Sequence, residues 1–184
     1  MILEILKFPD PILRAKGKAI GAVPDQIRTL AEDMLETMRA ANGVGLAAQQ
    51  IGQAVQLTVI DVADIEDRPS TMTIGGELQD LHDWMPLVLV NPKIELGKQR
   101  EVGSEGCLSF PQLTADISRA ESVHARARLL DGREIQFEAT GLLSRALQHE
   151  VDHLHGILFI DRMNSAAKAT LAGKLKRMQK EARA

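Results

Sequence analysis

Aromatic side chains are scarce in this 184-residue chain: they make up 3% of it, as four Phe, one Trp and no Tyr. Aromatics normally supply the largest single burials, so the core is expected to be mostly aliphatic. Cysteine is scarcer still. The lone Cys107 has no internal partner, which excludes a disulfide within the chain. No apolar run approaches the roughly 20 residues that a membrane-spanning helix needs, so no membrane partner is expected. The first residues, Met1-Ile2-Leu3-Glu4-Ile5, lack the basic-then-apolar order of a secretory signal. Excess positive charge is also missing. The 22 Lys and Arg stand against 25 Asp and Glu, and a net charge of −3 leaves no footprint for DNA binding. These absences point to the cytoplasm.

What is present reads as one globular domain over 1–184, with no repeat, low-complexity stretch or convincing linker. Ile27, Leu30, Ala31, Met34, Leu35 and Met38 recur at i, i+3, i+4 spacing and predict a helix over 25–41, begun near Pro24 and stopped by Asn42-Gly43. Short strands are predicted at 55–61 and at 87–91, the second closed by Pro92. Over 122–139 the alternation of Val123, Ala125, Ala127 and Leu129 with polar residues, the turn at Asp131-Gly132, and the returning Ile135, Phe137 and Ala139 predict a hairpin. Helices follow over 141–155, stopped by Gly156, and over 166–182, where Leu171, Leu175 and Met178 form a narrow stripe. Residues 62–86 read as a long surface excursion. Strands followed by helices, without β-α-β alternation, give an α+β class.

The most informative segment is Gln148-His149-Glu150-Val151-Asp152-His153. Histidines four apart lie on one helix face, so both imidazoles can reach one cation. At about 100° per residue, Arg145, Gln148, Asp152 and His155 share a polar side, and Leu143, Leu147, Val151 and Leu154 the opposite one. His149 and His153 fall at the edge of the apolar arc and Glu150 well inside it. A carboxylate aimed into a core is costly unless paired or employed. The blander account is two buried, hydrogen-bonded histidines beside a salt-bridged glutamate. Two histidines do not complete a catalytic metal site, which takes three protein ligands. Downstream, only His155 on the wrong face and Asp161 are available. Cys107 is the better third ligand, as a soft thiolate in Glu105-Gly106-Cys107-Leu108-Ser109, where Gly106 permits close backbone approach. A single Cys can equally be a small buried hydrophobe or a nucleophile paired with a histidine.

Three separated segments resemble the signature motifs of peptide deformylases: Gly43-Val44-Gly45-Leu46-Ala47-Ala48-Gln49-Gln50, Glu105-Gly106-Cys107-Leu108-Ser109, and Gln148 to His153. The likeness extends from Leu6-Lys7-Phe8-Pro9-Asp10-Pro11 to Gly156-Ile157-Leu158-Phe159-Ile160-Asp161. It implies antiparallel sheets around a central metal-bearing helix, with a C-terminal helix over 165–184. It implies that Cys107, His149 and His153 hold one divalent metal, Fe²⁺ in the cell, with Zn²⁺, Ni²⁺ or Co²⁺ able to substitute. Glu150 would be the acid/base, and the Gln50 amide and the Leu108 N–H would donate to the developing oxyanion. Gly43, Val44, Gly45, Leu46, Glu105 and Gly106 would bind the substrate, an N-formylmethionyl peptide that loses its formyl group as formate.

Two departures from the family pattern stand out. The excursion at 62–86 is longer than in small members, and Gly103-Ser104 replace a bulkier apolar residue, which predicts a wider or reshaped methionine pocket. Two other readings compete. A zinc endopeptidase shares His-Glu-x-x-His but needs a third ligand other than Cys and a long open groove. A non-catalytic Cys/His metal-stabilised module needs a fourth protein ligand, and the sequence offers no obvious one. The last helix carries Lys168, Lys174, Lys176, Arg177, Lys180 and Arg183 against one acid, Glu181. Such a run is either a solvated face or, as the resemblance to members with this tail implies, a ribosome-docking surface.

Overall fold

A computed structural model describes residues 1–184. In chain order it holds α1 (Asp25–Ala40), β1 (Gly45–Ala47), β2 (Leu57–Ile60), β3 (Ser70–Ile74), β4 (Glu77–Leu78) and α2 (Leu81–Trp84). There follow β5 (Leu87–Leu96), β6 (Arg100–Cys107), β7 (Phe110–Ala120), β8 (Ser122–Arg128), β9 (Glu134–Thr140), α3 (Gly141–Leu154) and α4 (Ser165–Glu181). The fold is α+β. One antiparallel sheet runs β1-β2-β5-β8-β9-β3-β4, and β6 and β7 pair separately. No helix is long and apolar enough to cross a membrane.

Helix α3 lies against strands of both sheets. Its Leu142, Leu143, Ala146 and Leu147 pack on Leu89, Val123, Ala125 and Phe137 of the large sheet. A second apolar cluster joins Leu13, Phe110, Phe159 and the α4 residue Leu171, with Leu175 and Met178 against it, so the stripe read on the last helix is its packing face. A third sets Ala31, Met34 and Met38 of α1 on Leu46, Leu57 and Val59. The core is mostly aliphatic as expected, yet Phe110, Phe137 and Phe159 are among its largest buried side chains.

The hairpin and the long helices form within a residue or two of their expected limits, whereas two other readings need correction. The stretch 62–86 is not a bare excursion: β3 pairs with β9, and Met72 on it is fully buried. It also begins α3. Thr140 supplies no side-chain cap, and the Leu143 N–H instead donates to Ser70 Oγ (2.8 Å) and the Leu142 N–H to the Pro69 carbonyl (3.3 Å). Gly141, at φ 66°, is required there, because a Cβ would collide with the Pro69 carbonyl oxygen. Nor does Pro92 close β5. The strand continues to Leu96 through a register shift between Val90 and Lys93, with Asn91 at φ 51°, and this irregularity absorbs the missing Pro N–H. The β6–β7 hairpin was not expected at all.

Candidate metal centre

Cys107 ends β6, and His149 and His153 sit one turn apart on α3, so a strand end and a helix face meet at one point. Their ligand atoms all lie within 4.8 Å of one another. Cys107 Sγ is 3.4 Å from His153 Nε2, which is 3.2 Å from His149 Nε2. The donor chemistry fits a divalent cation. The His149 Nδ1–H donates to Glu105 Oε1 at 2.9 Å, which leaves the Nε2 lone pair aimed at the thiol and at its neighbouring ring. His153 Nδ1 is buried with no partner, and Nε2 again faces the cluster. A thiolate with two imidazoles is a soft-to-borderline donor set that suits Fe²⁺, Zn²⁺, Ni²⁺ or Co²⁺. Burial depresses the His153 pKa well below its ordinary value, helped by positive charge on His149. Burial also works against charge on His149, but hydrogen bonds with Cys107 and Glu105 outweigh it and raise that pKa.

Glu105 is the hub behind the histidines. Its Oε2 accepts from Arg119 Nε and Arg145 Nη1, both at 2.8 Å, and its Oε1 accepts from Arg119 Nη2 at 2.9 Å as well as from His149. Burial alone would raise its pKa, but Arg119 and His149 hold the carboxyl well below the usual carboxylate range. Arg119 Nη1 continues to Asp152 (2.7 Å), which also binds Arg162. Arg145 and Gln148, on the polar side read from the sequence, are both buried. Arg145 spans to the Glu101, Gly103 and Ile117 carbonyls, and the Gln148 amide ties to the backbone of Ala120. Sequence reasoning missed this network. Its one cue is Arg119, which ends the inward register Leu113, Ala115, Ile117 on β7.

Glu150 is buried, with Oε2 unpartnered, and burial pushes its pKa up to about 7 against the pull of His149. Gly45 exists in contact with it: a Cβ there would stand 2.9 Å from Glu150 Cδ and overlap Oε1. The Gln50 amide is oriented from both ends. Its Oε1 accepts from the Ala47 N–H (2.9 Å), and its Nε2 donates to Ser109 Oγ (3.1 Å) and toward Cys107 Sγ (3.6 Å). Leu108 lies in the turn after Cys107, and its N–H has no acceptor within the chain.

These groups border a cavity of ≈ 560 Å³. Gly43, Val44, Gly45 and Gln50 line it together with residues 104–108 and the α3 residues Leu142, Ala146, His149 and Glu150. Of the expected substrate-binding residues, Leu46 is elsewhere. It is fully buried in the core, with its carbonyl bound by Thr58 Oγ1 (2.9 Å). Glu105 borders the cavity, but its carboxylate is committed to the network. At Gly103 no space opens, because Arg145 Nη2 stands 2.9 Å from where a Cβ would lie; the guanidinium fills the room that a bulkier side chain would take. The stretch at 62–86 adds Arg68, which lines the cavity and donates to the Ser104 carbonyl (3.0 Å).

A sequence model of the polypeptide deformylase family matches residues 2–169. The chain belongs to that family. A peptide deformylase of Methylacidiphilum infernorum is 43% identical to it over 180 residues, 98% of this chain and 94% of that one. The crystal structure of a peptide deformylase from Arabidopsis thaliana, in complex with an inhibitor, superposes with a TM-score of 0.83 at 36% identity, covering 97% of this chain and 91% of that one. A peptide deformylase from Ehrlichia chaffeensis in complex with actinonin gives 0.82 at 32% identity, over 96% and 97% of the two chains. In this family frame the Cys107, His149 and His153 cluster could hold a metal ion beside the cleft.

Proposed function

We propose that this protein is a metal-dependent hydrolase that removes the formyl group from the N-terminal methionine of nascent polypeptides, releasing formate. The observation that carries this reading is the convergence of Cys107, His149 and His153 beside a buried, unpartnered Glu150 carboxylate in a cleft. When bound by those three residues, a divalent cation lowers the pKa of water towards 7 and polarises the formyl carbonyl.

The chain's own groups do the rest. Glu150 accepts the proton that the attacking water gives up and passes it to the leaving amine, a task suited to a group whose pKa is pushed up to about 7. Gln50 Nε2 and the Leu108 N–H donate to the oxygen that becomes negative as the carbonyl carbon turns tetrahedral; each such donor contributes about 3 kcal/mol. Cys107 brings negative charge to the cation. The peptide lies between two open strand edges. β1 ends the large sheet and β6 pairs only with β7, so both can add an extended substrate as a further strand.

Three ligand residues without a fourth argue for an open catalytic site rather than a purely structural one, and Cys107 as the third argues against an endopeptidase. We take the cation in the cell to be Fe²⁺, and the site of action to be the cytoplasm. The exposed Lys168, Lys174, Lys176, Arg177, Lys180 and Arg183, with Leu171 turned inward, support docking of α4 on the ribosome. The deciding experiment is metal analysis of anaerobically purified protein, paired with formate release from formyl-Met-Ala-Ser. One equivalent of iron and rapid formate release are expected. Cleavage of an internal peptide bond without formate release would overturn the assignment.

A further inference from the structure

The N-terminal segment Leu6-Lys7-Phe8 binds both halves of the oxyanion-stabilising apparatus. The Leu6 N–H donates to the Gln50 carbonyl (2.8 Å), and the Phe8 N–H to the Ser109 carbonyl (2.9 Å). Between them, Lys7 Nζ donates to the Leu108 carbonyl at 2.8 Å. Ser109 is itself the residue that receives Gln50 Nε2, so three consecutive residues hold Gln50, Leu108 and Ser109 against one another. The segment is anchored in turn, because the Phe8 ring stacks on Phe110 (4.9 Å), Phe110 meets Phe159 edge-on (5.1 Å), and Phe159 lies 5.9 Å from the His149 ring.

Lys7 is the member whose role is not explained by packing. It is exposed, lines the active-site cavity and forms no ion pair, and its ammonium is spent on a carbonyl. Leu108 sits in the two-residue turn that joins Cys107 to Phe110, directly after a register shift in the β6–β7 pairing. The ladder resumes at the Cys107–Phe110 pair, and the Leu108 carbonyl takes no part in it. Holding the Leu108 carbonyl fixes the Leu108–Ser109 peptide plane, and it thereby restrains the short turn whose preceding peptide carries the Leu108 N–H. An oxyanion donor works only when it is already aimed at the place where charge develops.

We propose that Leu6-Lys7-Phe8 is a positioning strap, and that Lys7 is a positioning residue for the Leu108 N–H. The inference rests on the deformylase reading and on Leu108 as a donor. Lys7 touches no substrate atom in this scheme and acts only through Leu108.

The test is steady-state kinetics on metal-loaded enzyme with formyl-Met-Ala-Ser, comparing Lys7→Met, Lys7→Arg, Gln50→Ala and the pair Lys7→Met with Gln50→Ala. Lys7→Met should lower kcat about five- to tenfold with KM and metal content unchanged, because misaimed groups forfeit transition-state binding and not ground-state binding. Lys7→Arg, which can reach the same carbonyl, should restore kcat to within about twofold. The loss from Lys7→Met should persist in the Gln50→Ala background, since the two act on different donors. Unchanged kcat in Lys7→Met alongside a large loss in Gln50→Ala would overturn the strap and leave the deformylase mechanism standing. A loss that follows KM, or metal content, would also overturn it. Unchanged kcat in both variants would remove the oxyanion reading itself, and the strap with it.

Discussion

Replacing Glu105 by Gln separates what the buried hub does for the fold from what it does for the metal. The substitution is nearly isosteric, so it opens no cavity, and its effect falls on charge. Arg119 keeps Asp152 at 2.7 Å, but Arg145 loses its only carboxylate and retains carbonyls at 2.8, 3.0 and 3.4 Å. Removing one partner of a buried ion pair costs about 3–5 kcal/mol. In a chain of this size that lowers Tm by about 6–20 °C, measured on metal-stripped protein. Separately, the His149 Nδ1–H loses its carboxylate, and removal of such a partner weakens metal binding about 10- to 100-fold, read by competition with a chelating dye.

The two losses are separable by adding Arg145→Met. That change removes the uncompensated guanidinium and should recover most of the stability, while metal affinity stays low because His149 is still unsupported. The pH dependence has a definite sign. The folded Glu105 pKa is depressed below its unfolded value, so its stabilisation is fully present above the ordinary carboxylate range, about 4, and fades as pH falls below it. The stability gap between wild type and Glu105→Gln should be flat from neutral pH to about 5 and shrink at lower pH. A double variant no more stable than the single one would refute the argument from buried charge. An unchanged metal affinity would refute the role given to Glu105 behind His149.

The histidine pair was legible because its geometry is local, whereas Cys107 lies on another element and its place beside the pair rested on the resemblance. His149 and His153 share a helix face by spacing alone, and Glu150 in the apolar arc signalled a functional carboxylate. The hub was illegible for the converse reason. Glu105, Arg119, Arg145 and Asp152 come from β6, β7 and α3, and no pattern within one segment states that they meet. Helical periodicity separates polar from apolar sides but cannot tell a solvated polar side from a buried, satisfied one, so it left the burial of Arg145 and Gln148 unstated. β3 escaped notice because only Met72 of its five residues is buried, so its alternation is faint. Gly45 and Gly103 show a further limit. Each is glycine because another segment's side chain, Glu150 or Arg145, occupies the place of its Cβ.

Glu150→Ala should retain one metal per chain and lose turnover by more than a hundredfold, in the range of general acid/base contributions; activity within tenfold of wild type would defeat the assignment. Gly45→Ala should lower kcat with metal retained, because the new methyl displaces the Glu150 carboxylate; wild-type kinetics would show that the contact is not limiting. The last prediction concerns α4. Truncation after Asn164 is a poor probe of docking, because Leu171, Leu175 and Met178 pack on the cluster containing Phe110 and Phe159, and Phe159 lies beside His149. Losing the helix would disturb the metal centre as well as any surface it presents. Charge removal avoids this, since Lys174, Lys176, Arg177 and Lys180 are all exposed. Replacing these four by Gln should leave formyl-peptide hydrolysis unchanged and weaken cosedimentation with ribosomes at low salt, because phosphate contacts made by Lys and Arg are strongly salt-dependent. Undiminished cosedimentation of the variant, or none for the wild type, would end the docking proposal without touching the chemistry at the metal centre.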